Sequence, residues 1–557
     1  KRILSGSNQR ITVAHYNLPK TGGFGVVNDQ LPREGQFIQT VYDKDFKTPD
    51  WAKDTIFYYI FPDRFRNGDS ANDPKQGVDH FYKSDKIEFH TNWIDEKPWV
   101  PGAGDGNSTD DEEWCNDFYG GDIAGIKEKL DYLKELGVNT LYINPIFEAA
   151  TNHKYDCADY KSIDNNFGTL DEFKSLCEIA LSKGIRIILD ASLNHSSSDS
   201  VYMDRYSHYS SQGAFEGEVI QKDSIYYDWY EFNSDSKSAD SMYNYWAVPS
   251  LANLNDKSES YRKFAITDSD SVTKYWLKQG SSGWRMDVAP WVPDDFWKEW
   301  RVAVKSTNPD AYTVCETWWD SSKYFLGDMF DATMNYIFRQ TVLDYASGKK
   351  DAKYTNDTLE MLRENYPPEA FYVMMNLLST HDKPRALWHF GYEEIGKGDY
   401  ATASKKLKLS ILFQMIYPGA PSIYYGDEVG VTGGEDPYNR GPYPWADKGG
   451  NPDTNLFNEI KSIVKLRNDN PILRRGSLKP IYEDVNVIAY LRTYNDNSAI
   501  VFVNNNSADK EVTIDVTGLG LPNSFNDILN DNKNYQVESN KITLTVKGYW
   551  GNVLINK

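Results

Sequence analysis

Four short strand-like runs in this chain each end in an acidic residue. Ile187-Ile188-Leu189 is followed by Asp190, Gly283-Trp284-Arg285-Met286 by Asp287, Tyr312-Thr313-Val314-Cys315 by Glu316, and Asn376 to His381 by Asp382. Asn194-His195 lies just beyond the first run. A single such Asp is ordinarily a helix N-cap, accepting the unpaired N–H groups of a first turn. Four acids at four strand ends, accompanied by Arg285, His195 and His381, are hard to obtain from capping alone. Paired carboxyl groups cleave acetals. One attacks the anomeric carbon while the other protonates the leaving oxygen. Crowding pushes one pKa upward and keeps a proton available near neutral pH. Arg285 stands two residues before Asp287, so in a strand both point the same way. A fixed cation there orients the carboxylate and holds it ionised.

Such residues converge only if a scaffold brings the strand ends together. Short apolar or alternating runs predict strands at 56–61, 140–143, 185–189, 283–288, 311–315, 330–336, 371–378 and 422–425. Helix-like stretches separate them, among them 126–136, 170–182, 271–278 and 294–304. Eight strands alternating with helices imply a (β/α)₈ TIM barrel, whose active site lies at the C-terminal ends of its strands. The expected barrel spans 51–475, with a loop-rich inserted domain at about 194–260 after strand three. Beyond Arg475 the pattern turns to period two, at 487–493, 498–504, 511–516 and 541–546. This predicts a C-terminal antiparallel β-sandwich over 476–557. Residues 1–50 read as a partial β region or linker.

Composition narrows the partners. The 557 residues carry a formal charge of −21, which repels a phosphate backbone and argues against nucleic acid. No apolar run reaches the roughly 18 residues of a membrane span. The aromatic fraction is 14%, with 16 Trp and 39 Tyr, which suits large cores and equally the stacking of sugar rings. The four Cys (115, 157, 177 and 315) do not make a disulfide framework. A Cys115–Cys157 bridge and free thiols are both open. The opening Lys1-Arg2-Ile3 reads as a mature chain trimmed of its leader, so a secreted or cell-surface location is expected.

The chain resembles the α-amylase family, glycoside hydrolase family 13. The matching stretches are Asp190-Ala-Ser-Leu-Asn194-His195, Gly283-Trp-Arg285-Met-Asp287-Val288-Ala289, Glu316-Thr-Trp318, Ser379-Thr-His381-Asp382 and Gly419 to Glu428. Asn152-His153-Lys-Tyr155-Asp156 looks like the family's loop after strand two. The resemblance runs from about 55 to 475 in the family order. It implies Asp287 as nucleophile, Glu316 as general acid/base, and Asp382 as the residue that grips ring hydroxyls. It places Tyr155 under the sugar at the cleavage point, beside His195, Arg285 and His381. Trp318 matches the Trp two residues after the acid, and Asp436 to Arg440 look like the loop that fixes the next sugar.

Within the family the likeness is to the neopullulanase, cyclomaltodextrinase and amylopullulanase group, through 330–336 and Phe61-Pro-Asp-Arg-Phe65. The implied activity is cleavage of α-1,4 bonds, and of α-1,6 bonds too, in starch, pullulan or cyclodextrins. A glucan transferase on the same scaffold and a non-catalytic glycan-binding subunit are the alternatives. Two places depart from the pattern. Ala289-Pro290-Trp291 follows the nucleophile segment where other members carry Lys-His or Asn-Glu, and Trp319 replaces a His. The group also often has a dimerising N-terminal sandwich, for which about 50 residues are too few, so a monomer is favoured.

A second constellation groups Asn67, Asp69, Asn72 and Asp73 with Gly120 and Asp122. Hard cations such as Ca²⁺ want several carboxylate, amide and carbonyl oxygens. Spacing alone fits an Asx-turn-rich loop equally well. The resembling group binds calcium with this pattern, which makes a structural calcium the expected cofactor.

Overall fold

The computed structural model describes residues 11–14, 37–84, 86–94, 115–232 and 248–556. The expected N-terminal segment, the polar insertion after the first strand and the inserted domain therefore lie partly outside the described residues.

The apolar runs become eight parallel strands: β1 (Phe57–Ile60), β2 (Thr140–Ile143), β3 (Arg186–Ala191), β4 (Gly283–Met286), β5 (Tyr312–Cys315), β6 (Ala332–Thr333), β7 (Met375–Leu377) and β8 (Ala420–Tyr424). Each pairs with its neighbour in chain order and β8 pairs with β1. A parallel bridge between Met334 and Met375 links β6 to β7 and closes the barrel. Nearly every strand residue is buried, because packed side chains fill the inside and helices cover the outside.

Local chemistry sets where elements begin and end. Helix α1 (Leu170–Ser182) opens with a capping box, in which Thr169 accepts from the Glu172 amide while the Glu172 carboxylate accepts from the Thr169 amide. Two predicted strands are shorter than their apolar runs. In 330–336 only two residues pair as β6, because the Asn335 side chain accepts the Phe338 N–H at 3.1 Å and caps helix α2 (Tyr336–Ser347). In 371–378 only three residues pair as β7, because Pro367-Pro368 start a helical turn that runs to Phe371. The single helix expected at 126–136 is two, Ile123–Glu128 and Leu130–Leu136, meeting at Lys129.

The C-terminal part has one six-stranded sheet and one two-stranded sheet. In β9 (Val487–Tyr494) Ile488 and Tyr490 join the barrel's core, while Val487, Ala489 and Leu491 join a core of their own with Val512, Ile514, Ile542 and Leu544. Strand alternation thus glues the sandwich to the barrel with one face and builds its interior with the other. Arg492, fully buried, donates to the carbonyls of Ile416, Leu473, Gly476 and Ser477 across this junction. All four cysteines are free and buried. No helix among the described residues is long and apolar enough to cross a membrane.

Candidate active site

The polar residues predicted at the strand ends meet around one guanidinium. Arg285 on β4 is the register partner of Asp190 on β3, so the two side chains emerge side by side. Arg285 is fully buried. Its Nη1 lies 2.9 Å from Asp190 Oδ1 and 2.8 Å from Asp287 Oδ1, and its Nη2 lies 2.9 Å from Glu316 Oε2. One cation therefore serves three carboxyl groups from three strands. Asp287 and Glu316 therefore lie against the two terminal nitrogens of one guanidinium, on the same side of the barrel mouth.

The turn after the strand completes the cradle. Val288 has φ +39, a left-handed conformation that a β-branched residue rarely adopts. It aims the Val288 N–H at Glu316 Oε2, at 3.0 Å. The Trp291 N–H on the Val288 carbonyl and the Trp297 indole N–H on the Ala289 carbonyl hold the turn in that shape.

Tyrosines brace the cluster. Asp190 Oδ2 accepts the hydroxyls of Tyr142 and Tyr155, each at 2.6 Å, and Asn144 donates to Tyr155 Oη at 2.7 Å. The Tyr155 ring lies parallel to the His381 ring, 6° from coplanar with centroids 5.2 Å apart. The Tyr59 hydroxyl meets His381 Nδ1, and His381 Nε2 is 3.2 Å from Asp382 Oδ1. Arg440 Nη2 pairs with Asp436 at 3.0 Å and approaches Asp382 at 3.8 Å, while its Nε donates to the His381 carbonyl. Trp318 stacks on Tyr336 with centroids 4.1 Å apart. His195 is buried beside Ser192 and Asn194.

Burial sets the protonation states. It pushes Asp287 well above the usual carboxylate range; Arg285 opposes this, and the like charges of Glu316 and Asp190 reinforce it. Burial also raises Asp382, against Arg440 and Arg285. It lowers His381, and takes His195 down to about 3, so both imidazoles are neutral. Cys315, next to Glu316, is pushed up to about 12 and stays a thiol in the strand.

The sequence matches agree with this arrangement. Residues 59–452 match the model of the alpha amylase catalytic domain, and residues 476–554 that of the alpha-amylase C-terminal domain. The chain belongs to the α-amylase family. It is 40% identical over 581 residues to an amylopullulanase of Thermoanaerobacterium saccharolyticum, covering 97% of this chain and 45% of that protein. It is 36% identical to neopullulanase 2 of Thermoactinomyces vulgaris, covering 92% of this chain and 79% of that one. A cyclic α-maltosyl-(1→6)-maltose hydrolase from Arthrobacter globiformis superposes with a TM-score of 0.72 at 31% identity, covering 91% of this chain and 99% of that structure. The chain spans less than half the length of the amylopullulanases it matches.

Against the α-amylase family pattern, sequence reasoning missed Tyr59, Tyr142 and Asn144. Their signal was position. Tyr59 and Tyr142 sit in apolar strand runs with hydroxyls that need partners once buried. Asp156, next to Tyr155, lies away from the cluster. It accepts from the Tyr82 hydroxyl at 2.7 Å and from Thr151, which makes it a clamp for the loop.

The expected cation loop is partly assembled. Asn67 Nδ2 donates to Asp73 Oδ1 at 2.5 Å, and both atoms crowd Gly120, whose φ of +76 only glycine adopts readily here. Asn72 Oδ1 is buried and has no hydrogen-bond donor among the described residues. Asp122 is also engaged within the loop itself. Its carboxylate already accepts the amides of Gly68, Asp69 and Gly125 and the side chain of Asn72, so it fastens the loop to the following helix. Among the described residues no group of three or more His, Cys, Asp or Glu side chains could hold a metal, so any cation here rests mainly on amide and carbonyl oxygens.

Proposed function

We propose that this chain is a retaining α-glucan hydrolase, with Asp287 as nucleophile and Glu316 as general acid/base. The single observation that carries the reading is one guanidinium, Arg285, binding both of those carboxyls at the barrel mouth. Glu316 gives its proton to the glycosidic oxygen as Asp287 Oδ attacks the anomeric carbon. The C–O bond to the leaving sugar breaks and a glycosyl ester forms on Asp287. Glu316, now ionised, takes a proton from water, whose oxygen displaces Asp287 with its carboxylate restored. Arg285 stabilises negative charge on both carboxyls throughout. Asp382 and neutral His381 grip ring hydroxyls, Tyr155 supplies the stacking face, and His195, Trp318, Asp436 and Arg440 complete the cleft.

The names of the related proteins, amylopullulanase and neopullulanase, support α-1,4 and α-1,6 glucosidic bonds as substrates, with pullulan as the diagnostic one. A polymer of that size is met outside the cell, so the enzyme is proposed to act as a secreted or cell-surface protein. Calcium is proposed at Asn67, Asp69, Asn72, Asp73 and the Gly120 carbonyl, where it would tie the loop after β1. Its role there is structural, since the loop contributes no reacting group.

Digestion of pullulan and cyclodextrin by wild type and Glu316→Gln tests the reading. Wild type yields panose if α-1,4 bonds are cut and maltotriose if α-1,6 bonds are. Glu316→Gln should lose activity by several orders of magnitude. Undiminished activity of that variant, or inert wild type, overturns the assignment.

A further inference from the structure

We infer that Asn439 is a positioning residue for the proposed hydrolysis: its side-chain amide clamps the turn that carries His381 and Asp382, and so sets where Asp382 meets the sugar. The inference rests on the hydrolase reading above and adds a residue that is itself fully buried. The turn after β7 runs from Thr380 to Lys383, which form an isolated antiparallel bridge. The Thr380 hydroxyl accepts the Asp382 N–H at 3.0 Å. That bond shapes the turn and leaves its carbonyls to find donors elsewhere.

Asn439 supplies them. Its Nδ2 donates to the carbonyls of His381 at 2.8 Å, Lys383 at 3.1 Å and Thr380 at 3.3 Å. Three carbonyl oxygens around one atom identify that atom as the amide nitrogen, because an amide oxygen there would be repelled by all three. Arg440 Nε adds a second donor to the His381 carbonyl at 3.0 Å. Asn439 Oδ1 is buried and accepts nothing among the described residues. A buried amide placed to satisfy its own surroundings would use both of its ends. This one is used for its N–H groups alone, and those face the turn.

The clamp is itself anchored to the barrel. The Asn439 carbonyl accepts Arg385 Nε at 2.9 Å, and Arg385 Nη1 donates to the Tyr425 carbonyl at 2.7 Å and to Asp427 Oδ1 at 3.1 Å. Tyr425 directly follows β8. The Arg385 N–H reaches the Gly433 carbonyl at 2.9 Å, and a Cβ at Gly433 would lie 2.0 Å from the Tyr438 carbonyl oxygen, so the two backbones touch there. Asp382 leads on to Arg385, Arg385 holds the Asn439 backbone, and the Asn439 side chain returns to the turn. That closed ring fixes the turn after β7 against the loop after β8. Such placement matters for a group that must meet ring hydroxyls in the transition state, where an error of about 1 Å costs about a hundredfold in rate.

A double-mutant cycle read with maltosyl fluoride tests this. Asn439→Ala removes the clamp, and Asn439→Asp keeps its size but has at most one proton to donate in place of two. The first should lower kcat/KM about a hundredfold and the second about tenfold. In an Asp382→Asn background, where the group being positioned is already lost, either substitution should cost no more than about threefold. A packing role gives a different pattern: Asn439→Asp matches wild type, or the losses are as large in Asp382→Asn as in wild type. Either result overturns the inference while the hydrolase reading stands. Should Asn439→Ala not fold, the isosteric Asn439→Asp carries the cycle by itself. Wild type inert toward maltosyl fluoride overturns the hydrolase reading and the inference together.

Discussion

Asp190→Asn isolates the electrostatics of the site, because Asp190 touches the nucleophile only through Arg285. The two carboxylates share one guanidinium nitrogen, at 2.9 and 2.8 Å, so their oxygens are no more than about 6 Å apart. At an effective dielectric constant near 20, two unit charges at that distance repel by about 3 kcal/mol, or roughly 2 pH units. The sign is fixed by the charge. Asp190 helps to raise Asp287, so removing its charge lowers the pKa of Asp287. The acid limb of a kcat/KM profile reports the essential carboxylate of the free enzyme. In Asp190→Asn that limb should move to lower pH by about one to two units. Activity at the optimum should fall as well, because one amide oxygen cannot satisfy both Arg285 and the two tyrosine hydroxyls. Maltosyl fluoride is the substrate of choice, since fluoride departs without a proton and the limb then reports the nucleophile. A limb that stays put or moves upward would refute the reasoning, for it would mean that Asp190 is already neutral in the folded enzyme.

Two further outcomes concern stability. Glu428 is fully buried at the end of β8 and accepts the hydroxyls of Tyr58 and Tyr132 at 2.7 and 2.8 Å. Burial raises it from the ordinary 4.5 to about 7. A raised acid favours the folded state fully below pH 4.5, and that stability drains away as pH rises through 7, by about 3 kcal/mol in all. Glu428→Gln should flatten the fall in Tm between pH 5 and 8, and a variant whose curve runs parallel to wild type contradicts the linkage. For the cation loop, calcium at a hundredfold excess over Kd should stabilise by about 3 kcal/mol. Chelation should lower Tm in wild type and leave Asn72→Ala almost unaffected, and an equal response in both removes Asn72 from the site.

The barrel was legible because its strands are buried on both faces and read as apolar runs, and because the acids that end them stand at fixed points after each run. The places where the reading ran long share one cause. At 330–336 and 371–378 the apolar pattern continues through residues that a local feature diverts: the Asn335 side chain caps a helix and Pro367-Pro368 begin a turn. Hydrophobicity reports burial, and burial is common to strand, turn and first helical turn alike. Asp122 could be read two ways for a related reason. A carboxylate near Gly and Asn suits a cation and suits four N–H groups equally, and only three-dimensional placement decides between them. Tyr59 and Tyr142 escaped because a Tyr in a strand run counts first as apolar area.

Register explains why the site is one object. Arg285 faces the cluster because β3 and β4 pair it with Asp190, and Asp287 follows two residues on, past Met286. A slip of one residue between these strands would turn Arg285 toward the helices and leave the carboxylates without a buried cation. The cost of that slip is electrostatic as well as hydrophobic, since an unpaired buried charge costs several kcal/mol. The residues proposed for catalysis therefore also help to fix the register that assembles them. Substitutions at Arg285 should accordingly lower stability and activity together.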